Sequence, residues 1–136
     1  MQSPKRVHVF LALLSLAALA CGDSTSPEST VGVYALESIN GSAPPVIIDQ
    51  DASGTLEVTG GQVSLNADHT FSDRTDFRFT ASNGAISTAQ DITTGTYSQT
   101  GNTITLSPTG DTPYSMVLNG NTLTQIEPDF TIVYRR

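Results

Sequence analysis

The sequence predicts an all-β fold, an up-and-down antiparallel meander that closes into a small barrel of eight to ten strands. After Val31, apolar and polar residues alternate with a period of two, and no stretch has a convincing helical period. The alternating segments are short, about ten residues apart, and bounded by Gly, Asn, Asp and Pro, as is typical of barrels and sandwiches. The loops are too short for the long connection of a Greek key, so consecutive strands are expected to pair.

The predicted strands lie at residues 33–39, 46–49, 55–59, 62–65, 70–81, 95–97, 103–106, 114–118, 123–126 and 130–134. The second strand follows Pro44 and Pro45, which a central strand does not accommodate. Gly60-Gly61 separates the third strand from the fourth and predicts a tight hairpin turn. The pattern of residues 85–94 is ambiguous.

Turn chemistry separates the later strands. Residues 119–120 are Asn-Gly, a strong signal for a two-residue hairpin. Gly-Asn-Thr opens both segment 101–106 and segment 120–124, which indicates repeated hairpins. We interpret His69 as a turn residue with positive φ, a conformation that His tolerates better than most residues. A catalytic His would instead need a nucleophile and an orienting acid within reach.

The long strand 70–81 has two different faces. Three charged residues occupy one face and are typical of a solvated surface: Arg74, Asp76 and Arg78. The other face places Asp73 among Phe71, Phe77 and Phe79. If that face lines the barrel, burial raises the pKa of Asp73 and marks it as a ligand contact or an acid. We favour the alternative, a β-bulge or rim position that leaves Asp73 in water, because buried unpaired carboxylates are rare.

Composition excludes several classes of function. The formal charge is −7, and all 13 acidic residues follow Cys21, where four arginines and no lysine remain. A nucleic-acid-binding protein needs a basic surface, as does a protein that docks on anionic lipid through its side chains. A single Cys forms neither an intrachain disulfide nor a thiolate zinc cluster.

The N-terminus predicts export and lipidation. Lys5 and Arg6 precede the mostly apolar segment 7–20, which is shorter than the about 20 residues of a membrane span. Residues 18–21, Ala-Leu-Ala-Cys, resemble the lipobox of bacterial lipoproteins, which implies cleavage after residue 20 and a lipid-modified Cys21. The alternative is an ordinary export signal, cut at the Ala-x-Ala pattern, that leaves Cys21 as a free thiol.

Three parts of the chain follow from this interpretation. Residues 1–20 form a lipoprotein signal peptide, residues 21–30 comprise the lipidated Cys and a flexible tether, and residues 31–136 form the barrel domain. The tether contains Ser, Thr, Pro and acidic residues but no large apolar side chain. Gly22 stands where resembling lipoproteins of the inner membrane carry Asp, so we expect a cell-envelope location, anchored to the outer membrane rather than the inner.

Several short segments resemble bacterial lipocalin-like (calycin-type) small lipoproteins. The segments are the opening 32–41, the turn 65–71, and Gly95-Thr96-Tyr97 followed by 101–104. The resemblance implies an up-and-down β-barrel that binds small apolar molecules in its mouth. Lipocalins proper open with Gly-x-Trp and cap that ring with an Arg. Here Tyr34 replaces the Trp, and the sequence shows no clear counterpart of the Arg.

One acidic segment has the beginning of a calcium loop. Residues 49–54 read Asp-Gln-Asp-Ala-Ser-Gly, which places oxygen ligands at every second position. The twelfth position of the loop, which requires a bidentate Glu, is Gly60, and Glu57 stands at the ninth. We therefore interpret Asp51 and Ser53 as turn formers, and no metal or cofactor is predicted.

We predict a non-catalytic, lipid-anchored protein of the cell envelope that binds a small apolar ligand in the barrel mouth. The residues expected to contact the ligand are Phe77, Phe79, Tyr97, Tyr114 and Asp73. The alternative is a structural or protein-interaction lipoprotein with a filled barrel and no small ligand. An enzyme that uses Asp73 and a Tyr is the third hypothesis, although the sequence contains no Gly-x-Ser-x-Gly elbow, phosphate loop or HExxH motif.

Overall fold

The computed structural model of the protein describes residues 29–136, so the predicted signal peptide, Cys21 and nearly all of the tether lie outside the described residues. The described part contains nine β-strands: β1 Gly32–Ile39, β2 Val46–Gln50, β3 Gly54–Leu65, β4 Thr70–Ala81, β5 Ile86–Thr100, β6 Thr103–Pro108, β7 Tyr114–Asn119, β8 Thr122–Ile126 and β9 Thr131–Arg135. Among these residues, no helix is long and apolar enough to cross a membrane.

The strands form one closed antiparallel sheet. From β3 to β9, each strand pairs with its neighbours in the chain. Strand β1 closes the ring, because it pairs with β9 on one side and with the second half of β3 on the other. Strand β2 pairs with the first half of β3 and stands outside the ring. The result is an eight-stranded up-and-down barrel with one extra strand, which confirms the predicted fold class.

The predicted hairpin at Gly60-Gly61 is wrong, since β3 runs unbroken along β4. A β-bulge between Val58 and Gly60 shifts the register by one residue. In the first half of β3 the inward residues are even-numbered, such as Val58, whereas in the second half they are odd-numbered, such as Val63. A bulge makes this change of parity without turning the chain, and so keeps both sets in the core.

The segment 85–94 is mostly strand, and Gly95 continues β5 instead of starting a new strand. Residues 86–92 are exposed on both faces of the strand. They pair with β4 on one side, while β6 pairs with β5 only from Gly95 onward. Because this half of β5 extends beyond the ring, neither face is buried, and the sequence has no reason to alternate apolar and polar residues.

The core fills the end of the barrel at which the chain enters β1. It consists of Tyr34, Val63, Leu65, Phe71, Tyr97, Ile104, Leu106, Met116, Leu118, Leu123 and Tyr134. Gly95 allows the closest approach of two strands, because a Cβ there would lie 2.1 Å from the Ser107 carbonyl oxygen and 2.9 Å from the Phe71 ring. We call this end the floor; the opposite end, beyond which β3, β4 and β5 continue, is the mouth.

Candidate functional site

A cavity of about 200 Å³ lies inside the mouth. Strands β1, β3, β4 and β9 supply its walls, the extra strand β2 closes one side, and the loop before β9 contributes an aromatic ring. The lining residues are Leu36, Ile39, Ile48, Val58, Thr75, Phe77, Phe130, Ile132 and Tyr134. Eight of the nine side chains are aliphatic or aromatic, so the cavity offers apolar surface to a ligand.

The inner face of β4 connects this cavity to a buried polar pair. Strand β4 has no bulge along its pairing with β5, so its odd-numbered residues all turn inward. Phe77 and Thr75 line the cavity, and Asp73 is the next inward residue toward the floor. The expectation that Asp73 stands in water is therefore not met. The nearby register shift lies on β3, between Val58 and Gly60, and leaves the alternation of β4 unchanged.

Asp73 forms a hydrogen bond inside the barrel. The Tyr114 hydroxyl donates to Asp73 Oδ2 over 2.9 Å. Asp73 Oδ1 is buried and has no hydrogen-bond partner among residues 29–136. A buried carboxylate oxygen without a donor destabilises the fold, because it has lost its hydrogen bonds to water and gained none from the protein.

Burial controls the protonation of this group. It raises the pKa of the Asp73 carboxyl; the Tyr114 hydrogen bond opposes that effect and the Asp91 carboxylate adds to it. Burial and the charge of Asp73 also raise the pKa of the Tyr114 and Tyr134 hydroxyls well above the usual range. Both phenols therefore stay protonated and available as donors, and Tyr134 belongs to the cavity wall as well as to the surroundings of Asp73.

A second carboxylate faces the same way at the rim. Asp91 on β5 stands directly opposite Thr75 on β4. Opposed residues of an antiparallel pair share one face of the sheet, so Asp91 lies on the inner face, where it is exposed to solvent. The mouth therefore presents two carboxylates, one at the rim and one below the apolar walls.

At the floor of the barrel, Arg136 covers the ring of Tyr34. The Arg136 guanidinium carbon lies 5.3 Å from the centre of the Tyr34 ring. Arg136 also donates to the carbonyl oxygens of Ser29 and Val31. A Cβ on Gly32 would lie 2.9 Å from Arg136 Cδ, so the glycine makes room for this side chain. Arg136 therefore caps the Tyr34 ring, a role for which the sequence showed no clear counterpart.

The structure brings together only some of the predicted ligand contacts. Phe77 lines the cavity, and Asp73 and Tyr114 form the polar pair below it. Phe79 is the next inward residue beyond Phe77 toward the rim. Tyr97 lies at the floor, where its hydroxyl donates to the Asn66 carbonyl oxygen over 2.8 Å, and so it does not reach the cavity.

Two polar residues at the turns have local roles. His69 has φ of 64°, as predicted for a turn residue, and its ring lies 5.5 Å from that of Tyr97. The Asp51 carboxylate accepts hydrogen bonds from Ser53 and from the Gly54 amide, the turn-forming role that we preferred over calcium binding. Within residues 29–136, no three His, Cys, Asp or Glu side chains converge as a metal site.

Sequence reasoning missed most of the cavity wall. Leu36 and Ile132 lie on predicted strands, but nothing local distinguishes a core side chain from one that lines a cavity. Ile48 reaches the cavity wall because β2 pairs with β3 outside the ring, a pairing that the sequence does not indicate. The usable signal was the alternation of β4, which put Phe77 and Asp73 on one face.

Comparison with known proteins agrees with this architecture. The family model of the lipocalin-like domain matches residues 30–124, which span the closing strand β1 through most of β8. No curated protein and no solved structure matches the chain. With the match covering well over half of its length, the chain belongs to the family of lipocalin-like domains.

Proposed function

We propose that this protein is a non-catalytic carrier that holds a small, largely apolar molecule in the mouth of its barrel. The observation that carries the proposal is the cavity of about 200 Å³ with apolar walls, above a floor filled by side chains. An apolar cavity of about 150 Å³ binds benzene. By that scale, this mouth takes one aromatic ring with a short chain, or an aliphatic group of similar bulk.

The barrel supports binding because the cavity exists before a ligand arrives. Its walls come from hydrogen-bonded strands, so little ordering of the backbone opposes association. Transfer of apolar surface out of water contributes about 25 cal/mol per Å². The side chains that fill the floor keep the ligand at the mouth, and so they limit the size of the part of the ligand that enters the barrel.

We further propose that the carrier is anchored by lipid on Cys21 to a membrane of the cell envelope, the outer membrane rather than the inner one. The lipobox-like residues 18–21 support this proposal. The position of the first described residues agrees with it, because Ser29 and Thr30 lie at the floor beside Arg136 and Tyr34. A tether that joins the barrel here attaches at the end opposite the mouth.

Native mass spectrometry of the full chain, incubated with a lipid and metabolite extract, tests the carrier proposal. We expect a discrete added mass on the wild-type protein. Leu36→Trp fills the cavity from β1 and abolishes the added mass. Val33→Trp places the same side chain on the exposed outer face of β1 and retains it. A wild-type protein that shows only its apo mass overturns the proposal.

The intact mass of the chain purified from membranes tests the anchor. We expect a mass increase of diacylglycerol and an acyl group on a chain that begins at Cys21, and its loss in Cys21→Ser. A wild-type chain that begins elsewhere or carries an unmodified thiol refutes lipidation.

A protein-interaction role is the second candidate, and one observation favours it. Within residues 29–136, segment 86–92 of β5 has no partner strand on one side, and it exposes Ile86 and Ile92. An apo mass together with a discrete complex at this edge, broken by Ile92→Lys, would establish that role. The enzymatic hypothesis requires Asp73 as an acid, so an activity that survives Asp73→Asn eliminates it.

A further inference from the structure

We propose that the mouth selects small apolar molecules that carry a positively charged amine, and that Asp73 receives the ammonium group. This inference rests on the proposed carrier function and specifies the class of ligand. It follows from the unsatisfied carboxylate below the cavity, the charges that face inward, and the aromatic rings of the wall.

The first argument is the unused hydrogen-bonding capacity of Asp73. One carboxylate oxygen accepts the Tyr114 hydroxyl, whereas the other, Oδ1, is buried with no donor among the described residues. A ligand that brings an N–H⁺ donor would supply the missing partner in a charge-assisted hydrogen bond, which is about twice as strong as a neutral one. A hydrocarbon ligand would bury the carboxylate further without donating a hydrogen bond to Oδ1.

The second argument is the absence of an inward-facing cation within residues 29–136. Arg74 and Arg78 stand on the outer face of β4, where they pair with Asp76 and Glu57. Arg135 pairs with Glu37, and Arg136 lies at the floor. The inward-facing charges are instead those of Asp91 at the rim and of Asp73, buried below the cavity, so the field in the mouth attracts cations and repels anionic ligands such as fatty acids.

The third argument is the chemistry of the walls. Phe77, Phe130 and Tyr134 place three aromatic rings around the cavity. The face of an aromatic ring attracts an ammonium group, and the attraction grows as water is removed. The same rings pack against an apolar body, so both ends of an apolar amine find a complementary surface.

Three probes with the same apolar body test the proposal: phenylpropylamine, phenylpropanol and phenylpropanoate. Isothermal titration calorimetry of the full chain with each probe at pH 7 compares a cation, a neutral group and an anion. We expect the amine to bind about ten times more tightly than the alcohol, and the carboxylate to bind most weakly. Equal affinities, or an order that favours the alcohol or the carboxylate, overturn the proposal.

Variants assign the preference to the inner face of the barrel. Asp73→Asn keeps an acceptor for Tyr114 and is expected to reduce amine affinity about tenfold while alcohol affinity stays the same. Asp76→Asn, on the outer face of the same strand, is expected to change neither. Asp91→Asn alters only an exposed rim residue and is expected to weaken amine binding a fewfold. If Asp73→Asn does not fold, Asp91→Asn and the pH dependence of the wild-type protein test the proposal instead. An unchanged preference for the amine in Asp91→Asn, together with a wild-type affinity for the amine that does not depend on pH, overturns the proposal.

The pH dependence of amine affinity is a separate test of the proposal. The groups that face Asp73 from neighbouring strands are Tyr114, Tyr134 and Asp91. The pKa values of both phenols are raised, so neither phenol loses its proton below pH 7. Amine affinity should fall as the pH drops through the raised pKa of Asp73, whereas alcohol affinity should not. If none of the three probes binds, the carrier function itself fails; if the alcohol binds as well as the amine, only the amine selectivity fails.

Discussion

Replacing Arg136 by Ala removes the side chain that covers the floor of the barrel. The guanidinium lies over the Tyr34 ring at 5.3 Å, and it donates to the carbonyl oxygens of Ser29 and Val31. A cation–π contact at a partly exposed site contributes about 0.5–1 kcal/mol. Two hydrogen bonds to carbonyl oxygens at the surface add about 0.5 kcal/mol each. We therefore expect Arg136→Ala to lower the free energy of unfolding by about 1.5–2 kcal/mol.

Arg135→Ala is the matched control, because it removes the same side chain and the same charge one residue earlier. Arg135 forms an exposed ion pair with Glu37, and its side chain is 61% accessible to solvent. Exposed ion pairs contribute about 0–1 kcal/mol. The control should therefore lose less than about 1 kcal/mol, and Arg136→Lys should fall between the two variants, since Lys keeps the charge but not the planar group.

Urea denaturation followed by circular dichroism measures both free energies, and thermal unfolding provides a second measure. For a domain of this size, about 1 kcal/mol corresponds to a shift in Tm of about 4 °C. Arg136→Ala should thus melt about 6–8 °C below the wild-type protein. Equal losses in the two Arg→Ala variants would mean that net charge, and not the cover over Tyr34, sets the effect, and would refute the reasoning.

Three further predictions concern the interior. Tyr114→Phe leaves both oxygens of Asp73 without a donor from the barrel, so it should destabilise the fold by about 1–3 kcal/mol and raise the pKa of Asp73 further, as measured by NMR titration of the carboxyl. The pKa of Asp73 is raised above 3.8. The contribution of this shift to the free energy of unfolding is therefore fully present below pH 3.8, and it is lost as the pH rises through the pKa of Asp73 in the folded protein. Accordingly, Asp73→Asn should be more stable than wild type in urea at pH 7, with an advantage that vanishes near pH 3.8; an advantage independent of pH would contradict this assignment. Gly95→Ala should prevent native pairing of β5 and β6, because its Cβ would lie 2.1 Å from the Ser107 carbonyl oxygen, and native-like near-UV circular dichroism of this variant would contradict the close approach.

Local chemistry in the sequence accounts for the strands and turns. The Asn119-Gly120 dipeptide turns β7 into β8, and positive φ at His69 follows from the turn that precedes β4. Alternation of apolar residues identified the inner faces of β4, β6 and β7 because each strand buries one side. These signals involve residues a few positions apart, so a single sequence contains them in full.

Long-range pairing decided the rest. Gly60-Gly61 is compatible with a turn or with a bulge, and only the continuous partner β4 selects the bulge. Residues 86–92 show no alternation because the ring ends before them. The alternation of β4 puts Asp73 on the inner face, but only closure of the ring brings Tyr114 to it and buries the carboxylate.

The sequence by itself determined an all-β meander, its acidic charge and the inner face of β4. Only the tertiary structure decided that Arg136 covers Tyr34, about a hundred residues away in the chain, and that nine side chains from four ring strands, one extra strand and a loop line one cavity. The physical reason is that closure of the barrel joins β1 to β9 and to β3. A residue's side of the sheet is a local property, whereas the space between facing residues exists only after the ring has closed.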